Sequence, residues 1–292
     1  MKTIVVTGAN SYLGGVVVAS LRARTPHRII ALVSPRATPP ADDDAQLRWL
    51  RADLAHPLAS EVAAALHGAD CVFHFAWART GSPADMRNDN RAMIEHLTGA
   101  MPDAARFWFI SSASASPRPM STYGATKHDA AQLVRRLGGG VLVCGLVVES
   151  NPARGPYRLL RRHVARSPFA LRLTHGEPLV FPLQLADLGE AIVHVAGSTL
   201  PPAGYRMFSR PVGFNAFIGF VEQLHPRKRV PLALPASLLL KGAALAKRTH
   251  VFPARICDQV LTFLYKDAEY LLGHDELPGM RLRPCQGPQF VG

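Results

Sequence analysis

Short apolar runs alternate with stretches of helical spacing through the first half of the chain. Ile4–Thr7, Arg28–Val33, Arg48–Arg51, Cys71–Ala76, Phe107–Ile110 and Val141–Val148 read as strands. Most of these runs are apolar at successive positions rather than at alternate ones. That pattern belongs to strands covered on both faces. Between them, residues 13–24, 58–67, 87–98 and Tyr123–Arg136 place apolar side chains at helical intervals, and Ala41–Asp44 is a polar loop or a short helix start. Strands alternating with helices predict a mostly parallel sheet with helices on both sides, an α/β fold of the doubly wound type.

The second half is less regular. Residues 150–180 hold two loops and an Arg-rich helix around Leu159–Ala165. Helices are predicted at Asp187–Val195, Val212–Leu224, 236–248 and 257–272, and a short strand at Tyr205–Ser209. Residues 1–150 therefore form the sheet core. Residues 151–292 form mainly a smaller interleaved C-terminal lobe, with 183–204 returning to the core. The apolar run Leu232–Leu245 is interrupted by Pro235 and Lys241 and is too short to span a bilayer. It reads as a buried helix or a subunit contact. The tail from Pro278, rich in Pro, Gly and Arg, is expected to be partly ordered at best.

Composition changes this picture only at the surface. The 292 residues include 33 Lys+Arg against 21 Asp+Glu, a net charge of +12. The cations are scattered, and no nucleic-acid-binding module accompanies them. The excess reads as a solvated basic surface that favours phosphate-bearing or acidic ligands. Cys71, Cys144, Cys257 and Cys285 are too far apart for a zinc cluster, so no metal is expected. Cys71 and Cys144 lie in strand-like runs as buried thiols. The chain enters a strand by Ile4 and a glycine turn by Gly8, too early for an export signal. The expectation is a cytoplasmic protein with no nucleic-acid and no membrane partner. Helices 87–98 and 123–136 offer a route to a homodimer.

The first chemical signal is Thr7-Gly8-Ala9-Asn10-Ser11-Tyr12-Leu13-Gly14-Gly15, which follows a strand and opens a helix. Glycines let the backbone turn tightly against a pyrophosphate, and free helix N–H groups supply the anion site. This turn predicts a dinucleotide. The second strand ends at Leu32-Val33 without an Asp or Glu to accept from an adenosine ribose, and Arg36 follows. A guanidinium there pairs with a 2′-phosphate, which favours NADP (NADPH) over NAD. Asp53 follows the third strand, where it either meets an adenine amino group or caps the next helix. Ala76-Trp77 ends the fourth strand at the edge where a ligand lies; Trp77 either walls the cofactor or fills space.

The second signal is Tyr123-Gly124-Ala125-Thr126-Lys127, with Tyr123 and Lys127 four residues apart on one helical face. A phenol gives a proton to the oxygen that becomes negative as a carbonyl is reduced. A nearby ammonium lowers the phenol's pKa and can bond a nicotinamide ribose. Ser111-Ser112 ends the fifth strand, and a hydroxyl there can hold the carbonyl oxygen opposite the phenol. Ser114 and Ser116 are nearby substitutes.

Together these motifs resemble the extended branch of the short-chain dehydrogenase/reductase superfamily, the NAD(P)-dependent epimerase/dehydratase group, over residues 2–195. The resemblance implies a Rossmann-type sheet. It assigns the cofactor turn to Gly8, Asn10, Ser11, Tyr12, Leu13 and Gly14, and an adenine contact to Asp53-Leu54. The H-x-A-A motif falls on His74-Phe75-Ala76-Trp77, and a supporting helix Asn on Asn90, with Asn88 beside it. The double serine is Ser111-Ser112, its second member the catalytic one, and the Y-x-x-x-K pair is Tyr123 and Lys127. Asp187-Leu188 matches a late structural stretch. Three departures stand out. Ser11 replaces the middle glycine of the turn. The interval from Ser112 to Tyr123 is short, so a loop over the substrate is trimmed. The segment after the sixth strand lacks the branch's Arg-Pro opening, though Leu146 there can still meet the nicotinamide through its backbone.

Reduction of a carbonyl, or oxidation of the matching alcohol, needs only Ser112, Tyr123, Lys127 and nicotinamide. The substrate is a small or sugar-like molecule, phosphate-bearing if Arg154, Arg158, Arg161 or Arg162 grips it rather than forming a solvated face. A nucleotide-sugar epimerase uses the same residues. A sugar dehydratase needs an Asp-Glu pair after the serine, where this chain has Ala113-Ser114. A non-catalytic NADP-binding protein is the third alternative.

Overall fold

Eight parallel strands form the centre of the molecule, in the order β14-β11-β6-β5-β4-β1-β2-β3. The computed structural model describes residues 1–40, 42–249 and 251–285. The first half runs β1 (Thr3–Thr7), α1 (Tyr12–Arg24), β2 (Arg28–Val33), β3 (Leu47–Arg51), α2 (Ser60–His67), β4 (Cys71–His74), α3 (Pro83–Gly99), β5 (Phe107–Ser112), α4 (Thr122–Arg136) and β6 (Gly140–Cys144). The sheet grows outward in both directions from β1 and β4, which pair from Ile4↔Cys71 to Thr7↔His74. This is the Rossmann-type arrangement. It leaves a crevice at the carboxyl ends of β1 and β4, where chain connections diverge.

The continuous apolar runs have the reason the sequence suggested. One face of the sheet packs Val17, Leu21, Leu188 and Ile192 from α1 and α6 (Leu185–Gly197) against Ile4, Val6, Ala31 and Phe73. The other packs Val62, Leu66, Ile94, Leu97, Ala130 and Val134 from α2, α3 and α4 against Val5, Val72, Phe107 and Phe109. Burying residues of both parities in a strand requires a layer on each side. All four cysteines are buried and unpaired.

The run Val141–Val148 is two strands rather than one. At Gly145 the chain changes partner: the Gly145 N–H still bonds Met207, but the Leu146 N–H bonds Phe181. Residues Leu146–Val148 become β7, which pairs with β10 (Pro182–Gln184) outside the main sheet. The second lobe follows with α5 (Pro156–Arg166), β8 (Phe169–Thr174) and β9 (Leu179–Val180). Beyond α6 come β11 (Gly204–Met207), β12 (Val212–Gly213), α7 (Phe214–Gln223), β13 (Val230–Pro235), α8 (Ala236–Thr249), α9 (Ala254–Leu264), α10 (Ala268–Leu272) and β14 (Asp275–Glu276). The return to the core extends past residue 204, because β11 and β14 both join the main sheet.

The segment 257–272, expected as one helix, is two. Tyr265 is extended, and Asp267 caps α10 through the Tyr270 N–H. The reading of Leu232–Leu245 as a buried helix is also corrected. Leu239 and Leu240 pack on the lobe's core, but Leu238 and Leu245 face solvent. Among the described residues no helix is long and apolar enough to cross a membrane. Part of the Pro278 tail is tied down. Arg283 donates its N–H and side chain to buried Asp187, and Cys285 is buried. Residues 286–292 of that tail, and Ala41 of the polar loop, lie outside the described residues.

Candidate active site

The glycine turn sits between β1 and the first turn of α1. Gly8 has φ +63°, and a Cβ there would lie 2.6 Å from the Ala76 nitrogen. At Gly14 a Cβ would lie 2.3 Å from the Gly8 carbonyl oxygen. The turn is therefore pressed against both the end of β4 and its own helix, as a pyrophosphate cradle requires. Ser11 caps α1, its hydroxyl accepting from the Gly14 N–H at 3.1 Å. The serine that replaces glycine thus occupies one amide of the helix terminus itself. Asn10 is exposed at the turn, Leu13 packs on the core, and the Tyr12 ring lies beside Gly155 at the start of α5. These features fit a dinucleotide phosphate.

At the far end of β2 and β3, Arg36 is exposed, and Arg51, paired in register with Val33, is exposed beside it. The Arg51 Nε donates to the Ala37 carbonyl, so this second cation braces the Arg36 turn. Sequence reasoning passed over Arg51. Asp53 does not cap α2, which begins only at Ser60 behind Ala59; it accepts from the Ala55 N–H and pairs with His56 at 3.0 Å. Leu54 turns its side chain into the core and lends its carbonyl to His96, which leaves it little to offer a ligand.

Asn90 is 1% exposed and spends its amide on the loop after β4. Its oxygen accepts from the Ala78 N–H, and its nitrogen donates to the Ala78 and Met86 carbonyls. It fixes the loop after β4 against α3. Leu146 likewise has its N–H committed to Phe181 and its side chain against the lobe's core.

His74 is fully buried between Phe107 and Phe109. The Thr7 hydroxyl accepts from the Ala76 N–H, which leaves its proton for His74 Nδ1 at 2.7 Å. The ring proton is thereby assigned to Nε2, which has no partner. Burial, helped by Lys127, pushes the imidazole down to about 3. The unfolded chain takes up this proton first, near pH 6.5, so the stabilisation is complete above that pH and is lost as pH falls toward 3. Between pH 6.5 and 5 the wild-type chain is expected to lose about 2 kcal/mol on this account. Denaturant titrations should show that loss, and His74→Leu should remove it whatever its own baseline stability.

The Tyr-Lys pair lies at the start of α4. Tyr123 packs edge-on against Trp77, with ring centroids 6.3 Å apart, and the Ser112 hydroxyl acts on its phenol. Burial raises the phenol's pKa, while the Arg79 charge and the Ser112 hydrogen bond act to lower it. Arg79 thus acts on both the phenol and Lys127. Arg79 stands on the loop held by Asn90, and sequence reasoning missed it; its one signal was a basic residue two positions after Trp77. Lys127 is 5% exposed, donates to the Ile110 carbonyl at 2.8 Å and lies 3.8 Å from the centre of the Trp77 ring. Burial, then Arg79, depresses its pKa well below the usual ammonium range. Trp77 thus packs between Lys127, Phe109 and Tyr123 at the carboxyl end of β4. Ser111 is buried in the sheet. Ser112 faces the phenol and accepts from the Ser114 N–H, while the Ser114 hydroxyl donates to Thr262.

The second lobe reaches this centre through α9. Asp258 accepts from the Thr122 N–H at 2.6 Å and the Tyr123 N–H at 3.3 Å, and Lys247 bridges Asp258 and the Thr122 hydroxyl. The Asp267 carboxylate meets Arg118 at 3.3 Å. Helix α9 and its C-terminal flank therefore brace the trimmed loop between Ser112 and Tyr123 at both ends. No local motif announced these contacts, which link positions more than 130 residues apart. Of the arginines on and before α5, Arg158 donates to Ala153 and Arg161 to Ser150, which leaves Arg154 and Arg162 exposed.

A family model for the NAD dependent epimerase/dehydratase family matches residues 4–179, from β1 to β9. The chain belongs to this family. It is thereby a member of the extended short-chain dehydrogenase/reductase group, and an enzyme class that works with a nicotinamide dinucleotide. Solved structures share its architecture. A nucleoside-diphosphate-sugar epimerase from Staphylococcus aureus matches with a TM-score of 0.73 at 10% identity, covering 99% of this chain and 98% of that one. The terminal R domain of the myxalamid PKS-NRPS biosynthetic pathway matches at 0.69 and 16%, covering 100% and 89%. A UDP-glucose 4-epimerase from Thermotoga maritima matches at 0.60 and 16%, covering 80% and 85%. At these identities the likeness is one of fold. No curated protein matches the sequence.

Proposed function

We infer that this family member is an NADP-dependent oxidoreductase that reduces a carbonyl, or oxidises the matching alcohol, on a small or sugar-like substrate. The observation that carries the reading is the gathering of Tyr123 and buried Lys127 against the Trp77 ring at the carboxyl edge of the sheet, where the Ser112 hydroxyl acts on the phenol. A bound nicotinamide supplies or accepts the hydride. Gly8, Ser11, Tyr12 and Gly14 hold the pyrophosphate, and Arg36, braced by Arg51, meets the 2′-phosphate. In reduction Tyr123 gives its proton to the substrate oxygen, and Ser112 donates a hydrogen bond to that oxygen. The raised phenol pKa keeps the proton in place at neutral pH, which suits an acid. Lys127 orients the nicotinamide ribose, and Trp77 keeps water from the reacting edge.

Arg36 makes the cofactor choice testable without a substrate. Titration with NADPH and NADH, followed by quenching of tryptophan fluorescence, should give at least tenfold tighter binding of NADPH, as expected of a charge-assisted guanidinium–phosphate pair. Arg36→Ala should erase the difference. Tighter binding of NADH would remove the assignment.

The epimerase reading is the alternative, favoured by the family to which the chain belongs. The two part on stoichiometry. A reductase consumes NADPH mole for mole with substrate, whereas an epimerase returns its cofactor each turn. Bound dinucleotide without turnover on any carbonyl would favour the non-catalytic alternative. Dehydration remains disfavoured, since Ala113 is buried and Ser114 is bonded to Thr262 where an acid and a base would be needed.

A further inference from the structure

The α8–α9 hairpin exposes an unusual surface. From Gln223 to Cys257 the chain holds seven Lys or Arg and no Asp or Glu. The same stretch contains seven of the twelve exposed large hydrophobic residues among those described: Val230, Leu232, Leu238, Leu245, Val251, Phe252 and Ile256. On α8, Leu238, Lys241, Leu245 and Arg248 are all exposed at helical intervals, so apolar and cationic groups share one stripe. The stripe belongs to a helix about 21 Å long. It leads to the turn that carries Val251, 71% exposed, and Phe252, 58% exposed, with Arg255 and Ile256 just beyond. The opposite side of α8 packs Leu239 and Leu240 on the lobe, and its one inward cation, Lys247, is neutralised by Asp258. The outward cations Lys241, Arg248 and Arg255 have no carboxylate partner among the ion pairs of the described residues.

We propose that this face docks on an anionic lipid bilayer surface, with Leu245, Val251, Phe252 and Ile256 entering the headgroup region and Lys241, Arg248 and Arg255 meeting lipid phosphates and carboxylates. Charge complementarity selects this occupant. A second copy of the chain on the same face would set these cations against themselves, and the one carboxylate on α8 and α9, Asp258, is already paired with Lys247. The apolar groups ride on the outside of a helix and at a hairpin turn, positions that enter a deformable surface without a matching pocket. The net charge of +12 adds long-range attraction to the same target. This departs from the expectation of no membrane partner, which considered only whether Leu232–Leu245 could span a bilayer.

Each Lys or Arg near an anionic bilayer is worth about fivefold in binding, so the three outward cations together account for about a hundredfold preference over neutral lipid. The test is co-sedimentation of the full chain with phosphatidylcholine vesicles, with and without about one third phosphatidylserine. The expected result is binding to the anionic vesicles alone, weakened by salt. Lys241→Glu with Arg248→Glu should weaken it at least about twenty-fivefold, and Val251→Ser with Phe252→Ser at least about tenfold. All these positions are exposed, so dinucleotide titration and thermal melting should be unchanged and certify the fold. Failure of the wild-type chain to bind anionic vesicles would overturn the proposal, as would full binding by the charge-reversed pair. A dimer dispersed by Val251→Ser with Phe252→Ser would assign the face to a second copy instead. The vesicle-binding and melting readouts do not depend on the oxidoreductase reading.

Discussion

Tyr123→Phe is expected to lower kcat by about a thousandfold, the usual scale for a positioned proton donor, while NADPH affinity stays within about twofold. The change removes one oxygen and little else. The Tyr123 ring packs edge-on against Trp77, and a phenylalanine ring retains that contact. The helix start is set by Ser121 and Asp258 through backbone N–H groups, which the substitution does not touch. What disappears is the hydroxyl that would face the substrate oxygen. A split between lost turnover and kept cofactor binding separates a proton donor from a packing residue. Turnover of the phenylalanine variant at the wild-type rate would remove the mechanism.

Gly14→Ala is expected to weaken dinucleotide binding by at least about a hundredfold and to destabilise the fold by about 1–3 kcal/mol, the ordinary cost of overpacking. The added carbon would lie 2.3 Å from the Gly8 oxygen and 2.9 Å from the Gly8 carbonyl carbon, both backbone atoms that no side-chain rotation can clear. The turn and α1 must separate, and the amides that converge on the phosphate separate with them. Gly15→Ala is the control. Its carbon would meet only the Ala9 oxygen, at an ordinary 3.5 Å, so binding and stability should stay near wild type. If Gly14→Ala melted early yet bound NADPH normally, the turn would be a structural corner and the dinucleotide site would lie elsewhere.

The two substitutions probe the parts of the protein most legible in its sequence. The glycine turn, the Tyr123–Lys127 spacing and the alternating strands and helices are local, set by residues within one turn or one strand of each other. Backbone sterics and side-chain periodicity act over that range, so they write themselves into adjacent letters. The doubly wound sheet follows because strands buried on both faces have few other ways to pack.

Other features required contacts between distant segments. Arg79 acts on the phenol from the loop after β4, which Asn90 holds, while Lys127 bonds the Ile110 carbonyl. The break at Gly145 depends on where Phe181 and Met207 present their carbonyls. The run Leu232–Leu245 reads as a buried helix by composition. Only the packing of α8 on one side reveals which leucines are left facing out.

The sequence by itself determined the fold class, the phosphate-binding turn and the spacing of the Tyr-Lys pair, since each is enforced by neighbours along the chain. Tertiary structure alone decided that α9 braces the start of the Tyr123 helix, that the Ser114 hydroxyl is spent on Thr262, and that the basic hairpin faces solvent. Those outcomes turn on which remote donor, acceptor or apolar surface arrives first at a given group, and no local pattern of residues carries that information.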